Sequence, residues 1–208
     1  MYDQFIEGTI LLFVAVDPIA LIPIFASLTQ GLSKTQVRSI YLQATLVAFI
    51  ILTIFWVFGS AVLDLMGISM DSFKIIGGLF LIAIAFQMVL EQRQDRRQNT
   101  ADVAMDDESI NSLAIFPLAI PLMAGPGAMT TALLLAENAG TEPLSMFLAY
   151  APILVIISMA GIAMWLSSKI SKYLGPTIIT VVEKIFGLLL GALAIEFVID
   201  GIRNSFSF

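Results

Sequence analysis

Long apolar blocks separated by short polar stretches make up most of this chain. The six blocks fall at about residues 5–28, 40–65, 73–91, 113–137, 144–168 and 177–201. A helix rises about 1.5 Å per residue, so about 20 residues cross a hydrocarbon layer of about 30 Å. Blocks of this length disfavour a β-barrel, whose strands alternate over about ten residues. We therefore predict an all-α membrane protein with six transmembrane helices.

Composition supports this fold class and narrows the chemistry. The 208 residues are 59% hydrophobic and 12% charged, about half the charged share of an ordinary soluble domain. The chain has no Cys and no His. The missing Cys excludes disulfides and thiolate metal sites, and the missing His leaves carboxylates to carry any proton-linked step. We expect no metal, no cofactor and no nucleic acid partner; the surrounding partner is membrane lipid.

The basic residues are distributed unevenly between the two sides of the membrane. Seven of them follow the first, third and fifth blocks: Lys34, Arg38, Arg93, Arg96, Arg97, Lys169 and Lys172. The other side holds Lys74 and Arg203, while Lys184 lies a few residues inside the last block. The positive-inside rule makes the first side cytoplasmic. Both termini are then predicted to be periplasmic or extracellular.

The two halves of the sequence match each other at a nearly constant offset. "KIIGGLFLIAIAFQ" begins at Lys74 and "KIFGLLLGALAIE" at Lys184, with offsets of 110 at the start and 109 at the end. Gln87 therefore corresponds to Glu196. Because each half has three helices, an odd number, the second half must insert with the opposite orientation, as in many secondary transporters.

This symmetry divides the chain into three parts. We predict a first three-helix repeat at residues 1–91, a polar cytoplasmic loop at 92–112 and a second, inverted repeat at 113–208. The loop contains an arginine cluster followed by an acidic run, typical of a solvated connection.

The first block contains residues that a simple transmembrane helix avoids. "VAVDPIALIPIF" at 14–25 includes Asp17, Pro18 and Pro23. Asp followed by Pro is typical of an N-cap with proline at the first helical position. "DPIA" in this block corresponds to "GPGA" at Gly125–Ala128. We predict that helices 1 and 4 are each broken, because broken helices persist in a membrane where they line a cavity or are buried in protein.

Two half-helix N-termini that face one cavity would attract a carboxylate through their unpaired N–H groups and dipoles. The predicted substrate-binding residues are Asp17, Pro18, Ala20, Pro23, Gly125, Pro126, Gly127, Ala128, Thr130 and Thr131. Asp17, Glu196 and Gln87 are the candidates for coupling to a proton or cation. A purely structural role for Asp17, as a cap, remains an alternative.

Other residues in the blocks have simpler interpretations. Gly187 and Gly191 form a GxxxG pattern, and Gly77 and Gly78 lie at the equivalent place in the first half. Such glycines permit close helix packing, either within one chain or across a homo-oligomer. Glu183 lies near a predicted helix end, together with Asp64 and Glu137, and all three are expected to be boundary residues.

Four segments resemble the MarC family of bacterial inner-membrane proteins, also grouped as a six-helix neutral amino acid transporter family. They are "VDPIALIPIF" (Val16–Phe25), "GISMDSFKIIGGLFLIAIAFQM" (Gly67–Met88), "FPLAIPLMAGPGAMTT" (Phe116–Thr131) and "KIFGLLLGALAIEFVIDGI" (Lys184–Ile202). The resemblance implies an inner-membrane protein, and for some relatives a transporter of glycine, alanine and similar amino acids, coupled to a cation. Glu196 departs from the family, in which Gln is common at this position.

We therefore expect a secondary transporter of small neutral amino acids that works by alternating access. A channel, or a facilitator or exporter for another small metabolite, is the alternative. An enzyme is not expected. A protease dyad of Asp17 and Asp200 would need adjacent carboxylates, whereas their depths differ by roughly 10–15 Å at about 1.5 Å per residue.

Overall fold

The computed structural model describes residues 2–90, 113–170 and 175–206. These residues form helices and short connections, with no strand among them. The predicted loop at 92–112 lies outside the described residues. Five helical spans are long and apolar enough to cross a membrane, and a sixth is present if one bent pair of helices counts as a single span. The prediction of an all-α membrane protein is thus confirmed.

Seven α-helices and one irregular helical segment account for these spans. The helices are α1 (Tyr2–Val16), α2 (Pro18–Leu28), α3 (Lys34–Leu65), α4 (Met70–Val89), α5 (Pro126–Glu137), α6 (Pro143–Ile170) and α7 (Pro176–Phe206). The irregular segment is Ala114–Met123, which has wide π-type turns and precedes α5. It meets α5 at an angle of 60°.

Local sequence explains where the long helices of the first half begin and end. Ser33 caps α3 and forms a reciprocal capping box with Gln36, while Ser69 caps α4. The end of α3 is closed by Gly67, whose φ of 68° is a conformation that glycine adopts without steric cost. The capping residues therefore lie at the boundaries between apolar and polar sequence.

The span made of α1 and α2 lies at the centre of the molecule. Within its most apolar stretch 67% of the residues are buried, compared with 22% for α3. Leu12 and Val16 of α1 belong to one buried cluster, which also contains residues of α2, α3, α5 and α6. Leu11 and Val14 belong to a second cluster with α4 and α7. The span made of α1 and α2 therefore contributes residues to both buried clusters.

The remaining helices pack crosswise between the two halves of the sequence. Helix α3 of the first half packs against the irregular segment and α5 of the second. Helix α6 of the second half packs against α1 and α2 of the first. Neither half therefore encloses a separate core of its own.

Helices α4 and α7 form an extensive antiparallel pair in which glycines allow close approach. A Cβ built on Gly78 would lie 2.8 Å from the carbonyl oxygen of Ala194, and one on Gly187 would lie 3.1 Å from that of Ala85. At the far end Gly201 packs in the same way on Asp71. Of the two roles predicted for these glycines, close packing within the chain is the one observed at Gly78 and Gly187.

Two glycines of α7 allow a matched test of this packing. We expect Gly187→Ala to destabilise the protein by about 1–3 kcal/mol, because the new methyl group would lie 2.9 Å from the Cβ of Met88. Gly191→Ala should be neutral or slightly stabilising, since its methyl group would lie at a normal 3.5 Å from the Cβ of Ala85. Thermal unfolding of both variants in detergent measures the difference; equal midpoints would contradict the packing described.

Candidate functional site

Asp17 interrupts the most buried span at its centre, between α1 and α2. Its φ of 55° and ψ of 70° lie in the left-handed region, which Asp and Asn adopt more readily than most residues. Its N–H donates to the carbonyl of Phe13 (2.7 Å), and its own carbonyl accepts from Leu21 (3.3 Å). Its Oδ1 accepts from the N–H of Ala20 (3.2 Å). Asp17 is thus the N-cap of α2, with Pro18 at the position that needs no donor.

The second interruption lies between the irregular segment and α5. Phe116 and Ile120 have extended backbone dihedral angles, as expected for residues that precede proline. Gly125 is also extended, and a Cβ there would lie 2.5 Å from the carbonyl oxygen of Pro121. Within the described ranges of the chain, no side chain caps the helix that begins at Pro126. In α2 the carboxylate of Asp17 accepts a hydrogen bond from a first-turn N–H group. Gly125, at the same position before α5, has no side chain that could do this.

The backbone flanking the two interruptions lies in the same part of the core. A Cβ built on Gly127, two residues beyond Gly125, would lie 3.9 Å from the Cβ of Ala15, two residues before Asp17. Residues that adjoin the two breaks also share one buried cluster, among them Val16, Ala124 and Ala128. The structure thus brings the "DPIA" and "GPGA" segments close to each other.

Asp17 is itself buried in this region. Only 6% of the residue is exposed, although it carries a carboxylate at the middle of a membrane span. A charge at such a depth costs about 2.5–3.5 kcal/mol on insertion scales. Asn would cap α2 almost equally well and also accepts a left-handed φ, so the carboxylate is not required by capping alone.

The other predicted binding residues differ in their surroundings. Thr130 is buried with its methyl group against Gly77 of α4. Thr131 is fully buried, and its hydroxyl donates to the carbonyl of Gly127 at 2.8 Å. Pro23 lies inside α2, which continues past it to Leu28. The proton of the Thr131 hydroxyl is therefore already used within its own helix.

The two candidate coupling positions on α4 and α7 lie apart from each other. Gln87 is partly buried in the last turn of α4, where the neighbouring Met88 packs on Gly187 of α7. Glu196 is exposed and about nine residues farther along α7, a rise of about 13 Å. The antiparallel packing of the two helices therefore separates two positions that correspond in sequence.

One carboxylate that was predicted to lie at a helix boundary instead lies in the interior. Glu183 was expected at a helix boundary, but only 3% of it is exposed. That expectation is wrong, because the face of α7 that carries Glu183 turns toward the protein. Asp64 and Glu137 are exposed at the ends of their helices, as expected.

Glu7 was also missed as a residue near the site. It lines a small cavity of about 30 Å³ together with Thr131 and Asn138. The carboxylates of Glu196 and Asp200 are close enough to act on its charge. The only signal in the sequence is a carboxylate at the third residue of an apolar block, which also fits an ordinary interfacial residue.

Comparison with known proteins places this architecture in a family. The sequence profile described as MarC family integral membrane protein matches residues 2–206. A UPF0056 membrane protein of Archaeoglobus fulgidus is 34% identical over 194 residues, which are 93% of this chain and 89% of that protein. The UPF0056 membrane protein YhcE of Escherichia coli is 34% identical over 213 residues, covering 99% and 94% of the two chains.

A further UPF0056 membrane protein, from Aquifex aeolicus, is 33% identical over 202 residues, covering 96% of this chain and 92% of that one. No solved structure matches the chain. The family match and these relatives span nearly the whole sequence, including both interrupted spans. The chain is therefore a multi-pass integral membrane protein that belongs to the MarC family.

Proposed function

We propose that this protein is a secondary transporter of small neutral amino acids, built from two inverted three-helix repeats that work by alternating access. The observation that carries the proposal is the juxtaposition of two helices that begin inside the protein, α2 at Pro18 and α5 at Pro126. Each begins with proline after a non-helical residue, and the flanking backbone lies in one cluster. Interrupted helices that meet near the midplane form the substrate sites of many inverted-repeat transporters.

Reciprocal contacts between α4 and α7 support the proposed repeats. Gly78 contacts Ala194, and Gly187 contacts Ala85. At an offset of 109, Gly78 corresponds to Gly187 and Ala85 corresponds to Ala194. The same offset relates "AIAFQ" to "ALAIE" in the two halves. A twofold axis through the α4–α7 interface would generate both contacts from one.

The crosswise packing of the longer helices agrees with the same axis. The axis would exchange α3 with α6 and α2 with α5. It therefore converts the contact between α3 and α5 into the contact between α6 and α2, and both contacts are present. Alternating access would then arise from the motion of one repeat against the other.

The two interruptions suit the two charged ends of an amino acid. The uncapped N-terminus of α5 offers N–H groups and a positive dipole end to the substrate carboxylate. The carboxylate of Asp17 would receive the substrate ammonium group or a coupling proton. Ala15, Ala20, Ala124 and Ala128 lie beside the breaks, so only small side chains stand between the two helix starts and a substrate could approach their backbone closely.

A test of this proposal is the counterflow of labelled alanine and glycine into liposomes that contain the purified protein. We expect saturable counterflow, and we expect Asp17→Asn to reduce it at least tenfold. Asn keeps an oxygen for the N–H of Ala20 and accepts a left-handed φ, so this variant should fold normally. Asp64→Asn, at an exposed position near the end of α3, is the matched control and should retain full counterflow.

The outcomes separate the candidate roles. Equal counterflow in the wild type and Asp17→Asn would support a carrier in which Asp17 serves only as the N-cap of α2. Flux that does not saturate and shows no counterflow would indicate that the protein is a channel rather than a carrier. Absence of flux in folded protein would remove small amino acids as the substrate.

The orientation proposed here has both termini outside the cytoplasm of a bacterial inner membrane, and it can be tested by labelling. The chain has no Cys, so single cysteines can be introduced without a background. Gln30 and Met66 are exposed residues at opposite ends of α3. In intact cells we expect an impermeant maleimide to label Met66→Cys, and to label Gln30→Cys only after permeabilisation. The reverse pattern would invert the orientation.

A further inference from the structure

A second cavity, larger than the first, lies between the C-terminal ends of α2 and α6 and the N-terminal end of α3. Its volume is about 520 Å³, within the range of about 300–1,000 Å³ typical of small-molecule sites. The end of α2 (Leu28), the start of α3 (Lys34) and the end of α6 (Ile170) surround it. All three are ends of candidate membrane spans, so the cavity lies toward one end of the spans rather than at their middle.

The polar lining of this cavity is basic. Lys34 and Arg38 of α3 and Lys169 of α6 contribute to it. Among the residues that the structure describes, no Asp or Glu contributes to this lining. The hydroxyl-bearing residues Ser167 and Thr29 also line it, and Ser167 is buried. Cations and hydroxyl groups without a carboxylate form a lining suited to an anion with several acceptor oxygens.

The charge pattern of α3 gives an independent reason for an anion at this place. The first turn of a helix favours acidic residues, because the dipole is positive there. The first turn of α3 has no acidic residue and begins with Lys34. Lys34 and Arg38 are also four residues apart, where like charges repel each other. A bound anion would offset both unfavourable terms.

One side of the cavity is formed by a residue that faces the lipid. Trp165 lines it, although 59% of its side chain is exposed on the surface of α6. Tryptophan at this depth is typical of the aromatic belt that contacts lipid headgroups. Tyr41 on α3 is a second aromatic residue in the lining. The cavity is thus bordered by the surface from which a lipid would enter.

We propose that this cavity binds the phosphate headgroup of an anionic membrane lipid. Basic pockets between transmembrane helices at the cytoplasmic side bind lipids of this kind. Lys34, Arg38 and Lys169 hold the phosphate, and Trp165 contacts the glycerol region. The site is separate from Asp17, because Thr29 lies about 18 Å farther along the chain at about 1.5 Å per residue. The proposal is independent of the transported substrate.

Trp165 provides a direct signal for the test, because the chain has two tryptophans. For the other, Trp56, the described part of the chain provides no hydrogen-bond partner to its buried Nε1, and its ring packs edge-on against Tyr150. Trp56→Phe therefore removes no hydrogen bond and keeps an aromatic contact. The full-length Trp56→Phe protein in mixed micelles then reports on Trp165 alone.

We expect phosphatidylglycerol to change the fluorescence of Trp165 saturably, whereas phosphatidylcholine does not. Arg38→Gln should weaken this binding about fivefold, as expected for one basic residue near an anionic lipid. The triple variant Lys34→Gln, Arg38→Gln, Lys169→Gln should abolish it. The control triple Arg93→Gln, Arg96→Gln, Arg97→Gln removes the same charge from the predicted cytoplasmic side and should leave binding unchanged.

Several results would overturn the proposal. Equal responses to the two lipids would show that the cavity does not select an anionic headgroup over a zwitterionic one. Equal weakening by the two triple variants would replace the site by diffuse attraction. An equal response to inorganic phosphate alone would assign the cavity to a free anion rather than a lipid. If the cavity triple variant does not fold, an unchanged affinity in Arg38→Gln alone overturns the proposal.

Discussion

Inside a bilayer every backbone N–H and C=O group must find its partner within the protein, and this requirement governs the architecture described here. Asp17 meets it locally: its main chain bonds to α1 on one side and α2 on the other, and its side chain caps α2. Proline follows, at a position where a missing donor costs nothing. The interrupted span can then be the most buried of the five, enclosed by helices from both halves.

The α4–α7 pair relies on a different interaction, close van der Waals contact through small residues. Lipid tails are as apolar as leucine, so hydrophobicity alone does not drive helices together in a membrane. Gly78 and Gly187 instead let each helix approach a backbone carbonyl of the other. Because these contacts are reciprocal at the offset of the sequence repeat, the pair is the natural position of the proposed twofold axis. The interrupted helices lie beside this pair rather than within it.

Polar groups are placed at two depths with two chemistries. At the centre, the buried carboxylate of Asp17 lies beside the start of α5, which no described side chain caps, and these two groups form the proposed site for a small zwitterion. At the end of the spans, Lys34, Arg38 and Lys169 line a larger cavity bordered by an exposed tryptophan. A carboxylate at the middle of a span is costly to bury, so the presence of Asp17 there calls for a function. The three basic residues at the end of the spans remain close to water and carry a smaller cost. The two proposed sites therefore have different requirements and can be altered separately.

The sequence by itself determined the transmembrane spans and the local chemistry at their interruptions. Runs of about 20 apolar residues, Asp before Pro at residue 17 and Pro at residue 126 act over a few neighbouring positions, so they can be identified without a fold. Only the tertiary structure decided that Gly187 packs on α4, that Glu183 is buried and that three helix ends enclose a basic cavity. These features depend on which helix faces meet. Hydropathy does not encode that choice, because a lipid tail and a neighbouring helix are equally apolar surroundings for the same face.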